Sequence, residues 1–121
     1  MLLTAKEARD IRNTTLEEYG RIADEKILEM LPQIKNEIIE ACKKTATSAT
    51  INLIYPKDYD PILRREIRVK LINLLHEFGY DATWEDTVTE KSSSSWWRKK
   101  TETIIDKISV EWRHNYERHR S

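Results

Sequence analysis

TSATINLIYPKDYDPILRREIRVKLINLLHEFGYDATWE, residues 47–85, changes the period of its apolar residues twice. Ala49, Ile51, Leu53 and Tyr55 alternate with Ser48, Thr50, Asn52 and Ile54, the period-two pattern of a half-buried strand, and Pro56 ends it. Asp60 then offers an N-cap and Pro61 a first helical residue. Leu63, Ile67, Leu71, Leu74 and Phe78, widened by Ile72 and Leu75, predict the core face of a helix that Gly79 stops in the left-handed region, with Tyr80 packing back on the last turn. Beyond it Tyr80, Ala82 and Trp84 alternate with Asp81, Thr83 and Glu85 as a second strand, whose end blurs through DTVTE.

Towards the N-terminus the pattern is helical. Thr4 with Glu7, and Thr15 with Glu18, each have capping-box spacing, and Asn13 and Thr14 favour caps over helix interiors. A short first helix with a restart near Thr15 is therefore expected. Leu16, Tyr19, Ala23, Ile27, Met30, Ile34, Ile38 and Ala41 then form one amphipathic stripe, which Pro32 is expected to kink or restart. A continuous helix over 15–44 would span roughly 45 Å, longer than a domain of this size is wide, so part of its stripe is expected to meet another chain.

Towards the C-terminus, Ile104, Ile108, Val110 and Trp112 share one face of a third strand, with Lys107, Ser109 and Glu111 opposite. Asp106 falls on the apolar face, which predicts a bulge or an edge position there. The element order predicts an α+β fold: a long N-terminal helix, then strand–helix–strand–strand, in a three-stranded mixed sheet with the helices on one face. The first two strands, joined through a helix, are expected to run parallel if they share a sheet, and the last two to form an antiparallel hairpin. Residues 1–112 read as a single domain, made of a helical arm over 1–44 and the sheet with its second helix over 45–112. Residues 113–121 read as a basic tail.

A length of 121 residues fits one domain, and 35% charged against 39% hydrophobic residues fits a modest core under a charged surface. Twenty-one basic residues balance twenty-one acidic ones, so no global field draws the chain to nucleic acid or to a membrane. The balance hides a dipole: residues 45–90 carry a net charge of −3 and residues 91–121 a net of +4. That asymmetry favours head-to-tail contact between copies, or a basic end on an acidic neighbour. The single Cys42 excludes an internal disulfide, and MLLTAKEARD lacks the apolar core of a signal peptide, so secretion by that route is not expected. No apolar run reaches the roughly 18 residues of a membrane span.

Catalytic patterns are weak. His76, His114 and His119 do not group at metal-ligand spacing, Cys42 has no His or Asn placed to act with it, and both glycines are isolated, so no phosphate loop is present. Ser92–Ser95 lack a nucleophile-elbow context, and the carboxylates read as a solvated surface with pairs such as Glu66 and Lys70. No cofactor, no metal and no enzymatic activity are expected. The informative segment is KSSSSWWRKK, residues 91–100. Neighbours in an extended chain point to opposite sides, so Trp96 and Trp97 cannot both bury on one sheet face. With Arg98, Lys99 and Lys100, and with Arg113 at the start of the tail, they form the candidate interface or ligand-binding set. Trp and Arg together anchor protein interfaces. An exposed indole beside cations also suits a base or ribose with its phosphate. The third reading is structural, one ring capping the core edge and the other lying along the surface. Interface is the favoured reading.

Four stretches, MLLTAKEAR at the start, EIIEACKKTATSATINL where helix gives way to strand, LLHEFGYDATW around the second helix stop and ISVEW near the last strand's end, make the chain resemble a group of small phage and prophage proteins. The resemblance spans most of residues 1–112 and implies an α+β unit of phage origin with no catalytic residues to carry over. The tail after Trp112, Pro32 and the doubled Trp96–Trp97 depart from that pattern. The expectation is a non-enzymatic virion structural or accessory protein that assembles with itself, and with other virion proteins, through its helical arm and aromatic–basic loop. It is expected in the virion or the host cytoplasm. The alternative is a host-takeover factor that binds a nucleotide signal, nucleic acid or a host protein.

Overall fold

A computed structural model describes residues 2–92 and 101–112. The chain is α+β: α1 (Ala5–Lys43), β1 (Ser48–Pro56), α2 (Pro61–Glu77), β2 (Asp81–Ser92) and β3 (Thr101–Glu111). The expected class, element order and long first helix are all present.

The sheet runs β1-β3-β2, and β3 pairs antiparallel with both neighbours. β1 and β2 therefore point the same way, as their helical connection requires, but do not touch: β3 inserts between them, so each hydrogen-bonded pair in the sheet is antiparallel. Asp106 thus lies on the central strand and not at an edge. The irregularity expected near it belongs to β2, where the register slips between Trp84 and Asp86. That slip explains why the alternation of β2 blurs after Glu85.

One face of the sheet carries Ile51, Leu53, Tyr55, Ala82, Ile108 and Val110, all buried with residues of both helices in one core. α1 contributes Ala23, Ile27 and Ile34, and α2 contributes Leu63, Ile67, Leu71 and Leu75. Both helices cover this same face, as expected. On the other face Ile105 is buried between Ile54, which is 63% exposed, and Val88.

α1 is one uninterrupted helix of 39 residues, so the expected restart near Thr15 does not occur, nor does a restart at Pro32. The Thr4–Glu7 capping box forms, with both reciprocal bonds present. Thr14 and Thr15 do not cap: their hydroxyls donate back to the carbonyls of Asp10 and Ile11, a use open to threonine within a helix. Pro32 removes one backbone donor without ending the helix, because packing of Ile27 and Ile34 on either side holds the turns in place. At the start of α2, Asp60 caps as expected, accepting from the amides of Ile62 and Leu63. Two placements on the expected core faces are corrected. Phe78 is the C-cap of α2 and is 72% exposed, with Leu75 taking the buried place, and Leu16 stays exposed on α1. The expected Glu66–Lys70 pair is also replaced, since Lys70 reaches Asp24 of α1 at 3.2 Å.

Candidate functional site

Trp96, Trp97, Arg98, Lys99, Lys100 and Arg113 lie outside the described residues, as do His114 and His119. The strand ends that bracket residues 93–100 are described. There Glu102 meets Lys57 at 2.6 Å and Lys91 at 3.9 Å, and the Lys57 ammonium holds its carboxyl below the usual range.

Two arrangements in the described residues bring functional groups together. The first is a buried polar cluster under α2. Arg64 and Arg68, one turn apart, reach Oδ2 of the fully buried Asp106, each with one nitrogen at 3.6 Å. The β2 bulge brings Thr87 opposite Asp106, and its hydroxyl donates to Oδ1 at 2.5 Å. Trp84 Nε1 in turn donates to the Thr87 hydroxyl at 3.1 Å, and the Arg68 guanidinium sits 4.1 Å over the Trp84 ring. Tyr55 stacks on Tyr59 with ring centroids 4.9 Å apart, and burial, followed by the Asp106 charge, pushes its phenol well above the ordinary value. Asp106 is thus a carboxylate compensated by two guanidiniums and fixed on one oxygen by a hydroxyl. This geometry ties α2 to β2 and β3. The sequence signalled only that Asp106 was misplaced on an apolar face, because its partners come from two other elements.

The second arrangement is apolar and open. A groove of about 770 Å³ runs between α1 and the end of α2, lined by Leu28, Leu31, Pro32, Ile39, Phe78 and Tyr80 among others. It continues past Leu28 and Phe78 into a section of about 540 Å³ that reaches Asp24, Lys70 and Glu77. Phe78 is 72% exposed and Leu28 is 67% exposed, so two large apolar side chains meet solvent side by side. Phe78 follows α2's core periodicity and reads as buried from sequence. Its place immediately before the left-handed Gly79, with φ of 93°, turns it outward instead. Beyond the groove, every residue from Ala5 to Glu18 of α1 is exposed, so a fourteen-residue arm leaves the body.

The remaining candidates carry little chemistry. His76 Nε2 lies 2.8 Å from the Ala82 carbonyl, and Cys42 is exposed. Among the described residues no group of His, Cys, Asp and Glu side chains could hold a metal ion, and no helix is long and apolar enough to cross a membrane. Comparison with protein-family models, with curated proteins and with solved structures finds no match to this chain.

Proposed function

We propose that this chain is a non-enzymatic assembly protein that builds an oligomer through α1, with the phage particle suggested by its sequence resemblance as the setting. The observation that carries this reading is the arm. Fourteen consecutive residues, Ala5–Glu18, are helical and exposed at every position. An isolated helix of that length is marginal in water, and within a monomer this one contributes no buried side chain. An apolar groove farther along the same helix, with Phe78 and Leu28 uncovered, supports the same reading. In this proposal Trp96, Trp97 and the cations Arg98, Lys99, Lys100 and Arg113 form a second contact, with an acidic surface of another copy or of another virion protein.

Sedimentation velocity of the purified chain, read at 260 and 280 nm in low and high salt, tests the proposal. The expected result is a salt-resistant oligomer with the absorbance of protein alone. A small species with excess 260 nm absorbance that leaves with salt would favour the alternative, a host-takeover factor that binds a nucleotide signal or nucleic acid. A clean monomer at every concentration would overturn self-assembly.

A further inference from the structure

Resting on the assembly reading, we infer that the apolar groove of one copy takes the N-terminal arm of another, and that the contact is head-to-tail, so that copies join into a ring or filament and not a two-fold dimer.

The dimensions agree. The groove follows α1 from Asp24 to Ile39, and those fifteen steps at ~1.5 Å per residue give about 22 Å. The arm from Ala5 to Glu18, thirteen steps, is about 20 Å long by the same rise. The arm cannot reach its own groove. It is the N-terminal part of the same continuous helix that forms one wall, and it leads away from that wall.

The chemistry agrees as well. At ~100° per residue, Ala5, Ala8, Ile11, Thr15 and Leu16 fall on one side of the arm. Lys6, Asp10, Asn13 and Glu17 fall on the opposite side, and there Lys6 pairs with Asp10 at 3.7 Å. The small side chains Ala5 and Ala8 allow close approach to Phe78, while Ile11, which is 55% exposed, supplies an anchor for the groove floor. Arg9 borders the apolar side and Arg12 lies within it, between Ala8 and Leu16 in projection, and neither has an ion-pair partner among the described residues. Of the charged residues that line the groove, Asp24 and Lys70 pair with each other and Lys35 is a cation, so Glu77 is the carboxylate an arm arginine can meet, in the last turn of α2 where the helix carbonyls already concentrate negative potential.

The symmetry follows from α1 itself. Counting back in helical steps from the groove residues Lys35 and Leu28 leads through Asp24 to Glu17, Asp10 and Lys6. The groove side of the helix therefore becomes the polar side of the arm, and the arm's apolar side faces the other way. In a two-fold pair of antiparallel helices, arm and groove would both have to face the same partner. With the two faces on opposite sides of one continuous helix, each copy engages two different neighbours, and the contact propagates.

The test uses the full chain, with Ile11→Lys to spoil the arm and Phe78→Lys to spoil the groove. Both positions are more than half exposed, and Lys keeps good helix propensity, so far-UV circular dichroism should match wild type. Sedimentation velocity of wild type should give species above dimer mass, and each variant alone should fall to monomer, 14.4 kDa. An equimolar mixture of the two variants retains one intact arm and one intact groove. It should form a one-to-one dimer of twice the monomer mass and stop there. Wild type halting at a dimer, or a mixture that stays monomeric, would overturn the head-to-tail contact. Variants that assemble like wild type would overturn the arm-in-groove contact and leave the assembly reading standing. A monomeric wild type would remove both.

Discussion

Asp106 has no exposed surface, yet it contacts Arg64, Arg68 and Thr87 from two other elements. Its removal leaves two guanidiniums, only 17% and 14% exposed, without their counter-charge. Asp106→Ala should therefore cost about 3–5 kcal/mol, the range for breaking a buried ion pair from one side. Thr87→Val removes only the hydroxyl that donates to Oδ1 and should cost about 1–3 kcal/mol. Urea midpoints of the two variants check the order. Carboxyls nearer the surface act differently. Glu7 is held low by bonds from Thr4, Asp60 by the Tyr19 hydroxyl and the Ile62 amide, and Glu102 by Lys57. A depressed folded value means stability that is complete above the unfolded range near ~4 and is lost as pH falls through the lowered value. Tyr19 and Lys57, both raised by their partners, give stability that is present below their unfolded values near ~10 and is lost as pH rises beyond. Thermal midpoints should thus stay flat between those limits and decline on both sides. Asp60→Asn should soften the acid decline and Tyr19→Phe the alkaline one. Little of this was legible in the sequence. A side chain's period tells which face it takes, but not which charged residue 40 positions away will meet it.

Both helices end on the same motif, and only one of them uses the residue suited to it. After α2, the Gly79 amide donates to the His76 carbonyl and the Tyr80 amide to that of Leu75. After α1, the Thr45 amide donates to Cys42 and the Ala46 amide to Ala41, the same pair of bonds. The second motif places Thr45 at φ 62°, a left-handed conformation that costs a β-branched residue about 1–2 kcal/mol. Thr45→Gly should accordingly raise stability by about 1 kcal/mol, less the larger entropy glycine loses on folding, and a guanidinium titration would measure it. Gly79 announced its helix end from the sequence, whereas Thr45 gave no such signal. The same asymmetry runs through the other elements. Caps at Thr4 and Asp60 and the alternation of β1 were readable because they depend on neighbours in the chain. The continuity of α1 past Thr15 and Pro32 was not, because packing decides it. The insertion of β3 between β1 and β2 was equally hidden, since pairing order depends on contacts between strands far apart in sequence.

At the scale of the molecule, stability is distributed unevenly along α1. From Ala23 onward the helix is fixed by Ile27 and Ile34 in the core and by Lys70 on Asp24, and just before it Tyr19 holds Asp60. From Ala5 to Glu18 it is sustained only by the capping box, by local pairs such as Lys6–Asp10 and by propagation from the packed half. Propagation adds little free energy per residue, so the arm in an isolated copy should fray from its N-terminus and open far more readily than the core. Hydrogen exchange can separate the two halves. In the Phe78→Lys variant the amides of residues 8–18 should exchange fast and those of residues 27–38 slowly, with a step near Tyr19. In wild type, raising the concentration should slow exchange across 8–18 while leaving 27–38 unchanged, because docking in a neighbour's groove replaces the missing tertiary contacts. Ile11→Lys should show the fast pattern at every concentration. If the arm were equally protected in all three proteins, its order would come from within a single copy, and the unpartnered helix would have to be explained without a neighbour.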